Sequence, residues 1–263
     1  MSLIKLRYFQ IGADAWQQPG RFRLAFLSDL HNNVAPRLID QLKEAAPQVI
    51  VVGGDMVNRP IGPLPPYFTR GYGCVRRLAA EFPVYYAPGN HETRWQSTEA
   101  YRDDYIRYWR ALEKKGVVFL DDACVSLGDE AHPLYLTGLS LDRAAYYHGA
   151  DGRQAPAVEE LKAKLGEARP FQILAAHHPD YFDVYRDWGA DLVLAGHMHG
   201  GLVRLPGLGG VIGPDFHFFP SYTKGLYEAE NGRMLVSPGM GTHTVPIRIF
   251  NPREAFIVDL VKE

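Results

Sequence analysis

Five short apolar runs organise the chain: 23–27 (RLAFL), 49–53 (VIVVG), 84–87 (VYYA), 171–176 (FQILAA) and 192–195 (LVLA). They are short and do not alternate apolar with polar residues, which predicts strands covered on both faces. Helix-like stretches at 36–46, 69–81 and 98–115 follow the first three. Strand, helix, strand at this spacing predicts an α/β fold with a largely parallel sheet. Further short strands are expected at 117–120, 124–127, 134–139, 202–205, 234–236 and 256–260. Two mixed β-sheets packed face to face as a sandwich, with flanking helices outside, accommodate that number. Tyr101, Tyr105, Tyr108 and Trp109 recur at helical spacing and read as a stripe facing the core. The segment 59–73 begins RPIGPLPP, too rich in Pro and Gly for regular structure. It is expected to be a loop beside the site, either a surface connection or a rim that shapes a pocket.

The ends of the apolar runs concentrate the chemistry. The first leads into Ser28-Asp29-Leu30-His31 and the second into Gly54-Asp55. The third leads into Pro88-Gly89-Asn90-His91-Glu92 and the fourth into His177-His178-Pro179. The fifth leads into Gly196-His197-Met198-His199-Gly200-Gly201. Open α/β sheets bind their ligands at the carboxyl ends of strands. Five such ends carrying Asp, Asn and His are not explained by core packing. In extended backbone, residues i and i+2 project to one side, which would aim Asp29 with His31 and His197 with His199. Neighbouring glycines let the backbone bend and approach closely. Imidazole and oxygen donors without thiolate suit Mn, Fe, Co, Ni or Zn.

Composition narrows the role of such a metal. A chain of 263 residues, 46% hydrophobic and 22% charged, can build its core without a metal staple, so a catalytic ion is expected. That length suits one domain, expected to span residues 1–263. The formal net charge is −2 with no block of Lys or Arg, so no nucleic-acid-binding surface is indicated. Cys74 and Cys124 form no CxxC pair and are expected as free thiols in a reducing compartment. The N-terminus holds no secretory or membrane-spanning apolar run, so a cytoplasmic chain without a transmembrane segment is expected. No sequence feature sets an oligomeric state.

DxH, GD, GNHE, HxP and GHxHGG, in that order across residues 23–201, resemble the calcineurin-like metallophosphoesterase family. Later segments at 224–227, 237–241 and 246–248 resemble its small bacterial phosphodiesterase branch. The resemblance implies the four-layer metallophosphoesterase fold and a dinuclear centre of two divalent metal ions, Mn, Fe or Zn. Asp29, His31, Asp55 and His199 would hold one ion, and Asp55, Asn90, His177 and His197 the other, with Asp55 as the bridge. His178 is the alternative to His177. His91 would face the substrate, stabilising the transition state or protonating the leaving oxygen. Some members pair this histidine with an Asp three residues beyond the bridging Asp, where this chain has Asn58. An amide cannot stabilise an imidazolium as a carboxylate does. Arg59 follows as a candidate phosphate contact or a plain surface arginine. His243 reads as a supporting residue of a Gly-rich loop.

Two divalent ions against two aspartates leave a positive excess, which a bridging hydroxide lowers to about one charge. Such a centre attracts a small phosphate ester. The implied activity is phosphodiester hydrolysis with the bridging hydroxide as nucleophile. Phosphomonoester hydrolysis is the nearest alternative, but it calls for more arginines than Arg59 and Arg94. A nucleotide- or lipid-linked diphosphate also fits the chemistry. A non-catalytic protein-binding scaffold is disfavoured by the full ligand set.

Overall fold

The computed structural model describes residues 3–13, 20–58, 69–129, 132–146, 154–201, 203–205, 209–213, 218–242 and 248–262. The first strands are β1 Lys5–Gly12, β2 Arg21–Leu27, β3 Val49–Val52, β4 Val84–Tyr86 and β5 Val117–Phe119. Next come β6 Ala123–Ser126, β7 Tyr135–Leu139, β8 Gln172–Ala176, β9 Leu192–Ala195 and β10 Val203–Leu205. β11 Gly209–Ile212, β12 Gly225–Ala229, β13 Gly232–Val236 and β14 Glu254–Val261 complete them. The helices are α1 Leu38–Ala45, α2 Arg70–Ala79, α3 Asn90–Ser97, α4 Arg102–Glu113, α5 Val158–Leu165 and α6 Phe182–Trp188.

One sheet has the order β1-β14-β2-β3-β4-β5 and the other β12-β13-β9-β8-β7-β6, with β10 and β11 paired apart. β2 to β5 are parallel, and β14 runs antiparallel to β2. In the second sheet β13, β9, β8 and β7 are parallel, flanked by antiparallel β12 and β6. Both sheets are therefore mixed, as the strand count predicts.

Side-chain alternation explains why the apolar runs do not alternate in polarity. Leu24, Phe26, Val49, Val51 and Phe256 of the first sheet pack against Leu136, Ile173, Leu192, Leu194 and Leu235 of the second. Their neighbours Ala25, Leu27, Ile50 and Val52 face the opposite way, onto Leu38, Leu42, Val75, Leu78 and Tyr108 of α1, α2 and α4. On the far side, Leu174, Ala176, Val193 and Ala195 meet Leu161, Phe182, Tyr185 and Trp188 of α5 and α6. Each of these central-strand residues thus has an apolar face to fill, and the layers run helix, sheet, sheet, helix.

The aromatic stripe of α4 behaves as read. Tyr105 and Tyr108 are buried, and Trp109 stacks on Phe119 at 3.7 Å between ring centroids. β1, β11, β12, α3, α5 and α6 were not anticipated. β1 lies at a sheet edge, where its mixed, half-exposed side chains carry no clear period. Of the segment 59–73, the first ten residues lie outside the described ones. Its end opens α2, where Thr69 Oγ1 accepts from Tyr72 N at 3.1 Å. Cys74 and Cys124 are free. No helix among the described residues is long and apolar enough to cross a membrane.

Phe26 sits at the centre of the core between the sheets with no exposure, whereas Phe219 is 65% exposed. Phe26→Ala is expected to lower the unfolding free energy by about 3–5 kcal/mol in urea titration. Phe219→Ala should change it by less than about 0.5 kcal/mol. Equal effects would refute the inter-sheet core.

Candidate metal centre

Strand ends from both sheets meet at one place. Asp29 and His31 follow β2, Asp55 follows β3, and Asn90 and His91 open α3 just beyond β4. His177 follows β8, and His197 and His199 follow β9. The backbone there is not extended, so the i and i+2 rule does not describe it. Asp29, His31, Asp55, His197 and His199 have φ of 52°, 49°, 53°, 67° and 50°. This left-handed region is sparsely used by residues with a Cβ and costs roughly 1–3 kcal/mol each time. Tight turns, held by bonds such as Asp29 N to Gly54 O (3.0 Å) and His31 N to Asp55 O (3.0 Å), aim the side chains inward. Two glycines make room. A Cβ at Gly89 would collide with Asp55 Oδ1, and one at Gly196 with Asp29 Oδ2.

The expected ligands converge. Asp29 Oδ1 lies 3.6 Å from His199 Nε2, 3.7 Å from His177 Nε2 and 3.8 Å from His31 Nε2. Asp55 Oδ2 lies 3.2 Å from His177 Nε2, 3.7 Å from His31 Nε2 and 4.0 Å from His91 Nε2. His197 Nδ1 is 3.0 Å from Asn90 Oδ1. Among the described residues, three groups have donor atoms within 4.8 Å of one another and could hold a metal ion: Asp29-His31-His199, Asp55-His177-His197 and His31-Asp55-His91. The two carboxylates face His177, while His178 accepts from Asp180 N at 3.3 Å and packs on His197. Arg59 and His243 lie outside the described residues.

The tautomers test whether a cation fits. His177 Nδ1 is 2.6 Å from the carbonyl oxygen of Gly53. A carbonyl only accepts, so Nδ1 carries a proton, and in the neutral ring Nε2 offers a lone pair. That Nε2 is buried and, among the described residues, faces only Asp55 Oδ2 at 3.2 Å and Asp29 Oδ1 at 3.7 Å, both acceptors. His31 Nδ1 is 3.0 Å from Asn58 Oδ1, and Asn58 is oriented by donating Nδ2–H to the His31 carbonyl. His31 Nε2 then also offers a lone pair, toward Asp29, Asp55 and His199 Nε2 at 3.1 Å. Imidazole and carboxylate lone pairs aimed at one point repel unless a proton or metal ion lies between them. The donor set fits divalent ions.

The titration directions carry the same demand. Burial by itself would raise the Asp29 carboxyl, but His177, His199 and His31 outweigh it and hold it at about 2. Asp55 is held well below the usual carboxylate range against the same burial, chiefly by His177 and His91. Burial would lower His177, yet the charges of Asp55 and Asp29 push it up to about 10. His31 is raised in the same way. Burial drives His197 down, helped by His177, and drives His199 down to about 3, helped by His31. The two carboxylates thus favour a proton on His177 and, in direction, on His31.

Several supporting residues had weak or no sequence signal. Ser28 Oγ donates to Asp29 Oδ2 at 2.6 Å, and the His197 N–H donates to Asp29 Oδ1 at 3.1 Å. Glu92 accepts from Asp55 N, Met56 N, Gly89 N and Tyr86 Oη. GNHE carries its signal, because it places a carboxylate in the first turn of α3. Arg248 and Asn251 both donate to the carbonyl of His199. Tyr146, with no motif around it, sets its ring 5.3 Å from that of His197. Asn58, at the position expected to serve His91, engages His31.

The four layers and the buried carboxylate–imidazole cluster agree with the comparisons, which make the chain a metal-dependent phosphoester hydrolase. The calcineurin-like phosphoesterase model matches residues 22–201, and the chain belongs to that family, which uses divalent metals. It is 26% identical to YpbG of Bacillus subtilis (strain 168) over 238 residues, 89% of this chain and 79% of that protein. It is 25% identical over 245 residues to the metallophosphoesterase YkuE of the same organism, covering 91% and 79%. The phosphodiesterase YaeI of Escherichia coli (strain K12) is 28% identical over 199 residues, covering 73% and 66%. Phosphopantetheinyl hydrolase from Mycobacterium tuberculosis shares the fold with a TM-score of 0.50 at 15% identity, over 81% of this chain and 87% of that one.

Metal must displace the proton that the carboxylates favour on His177. Loading Mn²⁺ at pH 7 should therefore release at least about one proton per chain, with affinity rising with pH. Calorimetric titration in buffers of different ionisation enthalpy measures this. Binding without proton release would overturn the proton on His177.

Proposed function

We propose that this chain hydrolyses phosphodiesters at a dinuclear centre. Asp29, His31, Asp55 and His199 would hold one divalent ion, and Asp55, Asn90, His177 and His197 would hold the other. The observation that carries this reading is the convergence of the Nε2 lone pairs of His177 and His31 on two buried carboxylates. Ions bound there would supply an activated water and neutralise phosphate oxygens. The set of N and O donors keeps Mn, Fe and Zn as the candidates.

The chain's own residues orient this machinery. The His91 N–H donates to Asp55 Oδ1 at 2.9 Å, which turns Oδ2 toward the histidines. Ser28 and the His197 N–H fix Asp29 in the same manner. The His91 ring stands 4.9 Å from that of His31, beside the ligands, where its imidazole can hand a proton to the leaving oxygen. Arg59 is assigned a phosphate contact on its sequence position alone.

Charge balance favours a diester. Beside Asn90 a cleft holds Arg94, Arg143 and Lys164, but also Asp121, Asp122 and Asp142. Among the described lining residues three acids accompany the three cations, and Lys164 lies between Asp122 and Asp142, which favours a singly charged diester over a phosphomonoester dianion. The likeness to YaeI, named a phosphodiesterase, supports the same reading.

Metal-loaded protein should hydrolyse bis(p-nitrophenyl) phosphate faster than p-nitrophenyl phosphate, lose both activities on chelation and regain them on refilling. No metal-dependent turnover of either substrate would sink the proposal. Asp55→Asn should abolish turnover. His91→Ala should keep the metal content while slowing turnover by about 100-fold. Loss of metal from His91→Ala would make His91 a ligand, as its place in the third donor group allows.

A further inference from the structure

The segment before β14 meets the metal centre at the turn after β9. Arg248 Nη2 donates to the carbonyl of His199 at 3.1 Å, and Nη1 donates to the carbonyl of Gly239 at 3.1 Å. The guanidinium also donates to the carbonyl of Pro238. Gly239 lies against Asp29, so close that a Cβ on it would stand 2.7 Å from the Asp29 Cβ. Arg248 is thus lodged behind Asp29 and His199, two groups assigned to the same ion. Among the described residues it makes no hydrogen bond to Asn90, His177 or His197.

The hydrogen bond to His199 is not what sets Arg248 apart. Asn251 Nδ2 donates to the same carbonyl at 2.5 Å and to that of Gly201 at 2.9 Å. A neutral side chain therefore already holds this turn, and what Arg248 alone brings is charge. Its hydrogen bonds all end on carbonyls, and among the described residues no carboxylate lies within ion-pair distance. Charges withdrawn from water are ordinarily paired. Burial lowers this guanidinium to about 10 against the attraction of Asp29, so it keeps its proton at neutral pH. Its field thus falls on a carboxylate that is itself a proposed metal ligand. A fixed cation repels a divalent ion bound nearby, and more strongly where water is excluded.

We propose that Arg248 is a fixed positive charge that loosens the ion held by Asp29, His31, Asp55 and His199 relative to the ion held by Asp55, Asn90, His177 and His197. The first ion is then the exchangeable member of the pair and the second the resident one. This assignment rests on the dinuclear reading of the site.

Two measurements of metal binding test it without recourse to activity. Crystals of the wild type grown with one equivalent of Mn²⁺ should show anomalous density chiefly between Asp55, Asn90, His177 and His197. Calorimetric Mn²⁺ titration of Arg248→Gln and Arg248→Lys then isolates the charge. Both variants lose the guanidinium contacts, and they differ mainly in charge. Arg248→Gln should bind the weaker ion about tenfold more tightly than Arg248→Lys, with a smaller difference for the tighter ion. A guanidinium that only held the turn would leave both variants equally weakened. Equal affinities in the two variants, or wild-type density chiefly at Asp29 and His199, overturns the proposal. Melting curves of the metal-free variants show whether they fold, and where one does not, the wild-type density decides. A wild type that takes up no Mn²⁺ overturns the dinuclear reading along with this one. Two-step binding with equal variants rejects the role of Arg248 alone.

Discussion

Two carboxylates, Asp29 and Asp55, are sealed from water within about one side chain of each other, and the rest of the site follows from that. Burying an ionised carboxylate without compensation costs several kcal/mol even after the protein relaxes. Here compensation arrives from every direction. Backbone N–H groups of His91 and His197 and the hydroxyl of Ser28 take some of the oxygens. The imidazoles of His31, His177 and His199 surround the remainder. This is possible only because ends of strands from two sheets meet there: β2, β3 and β4 supply the acids, Asn90 and His91, while β8 and β9 supply three histidines. The left-handed backbone at five of these residues is the local cost of aiming all of them at one point.

A third carboxylate ties the site to the core. Glu92 collects the N–H groups of Asp55, Met56 and Gly89, and so clamps the turn after β3 to the start of α3. Its other partner, the Tyr86 hydroxyl, reaches the Tyr108 hydroxyl at 3.2 Å, inside the cluster beneath α4. Burial and the nearby Asp55 both raise the Glu92 carboxyl. The aromatic stripe of α4 therefore does more than fill space, because through Tyr86 it fixes the residue on which Asp55 hangs.

Much of this was legible in the sequence, for definite reasons. β2, β3, β8 and β9 are apolar throughout because each faces the other sheet on one side and helices on the other, so their runs stand out. The donors were visible because catalysis places Asp and His where packing would not. β1 was hidden because an edge strand has little to bury, and α3 because it begins on Asn90, within the motif itself. Sequence spacing gave the right neighbours for Asp29–His31 and His197–His199 through the wrong geometry, since turns rather than extended backbone bring them together. Tyr146 and Asn251 left no signal, as each reaches the site from a distant loop, and Arg248 showed only as part of the segment 246–248. Asn58 was read as a weakened partner for His91, yet it sets the tautomer of His31, a role in which an amide oxygen suffices.

The three apolar clusters contain none of the proposed ligands. The fold therefore does not need a metal to assemble its layers, in keeping with what composition implies. What a metal would change is the charge of the cavity they enclose. The carboxylates that would hold ions also raise His177, so proton and metal would compete for one arrangement of donors. Stability resides in the packed sheets and helices and reactivity in their unneutralised carboxyl ends, joined chiefly through Glu92.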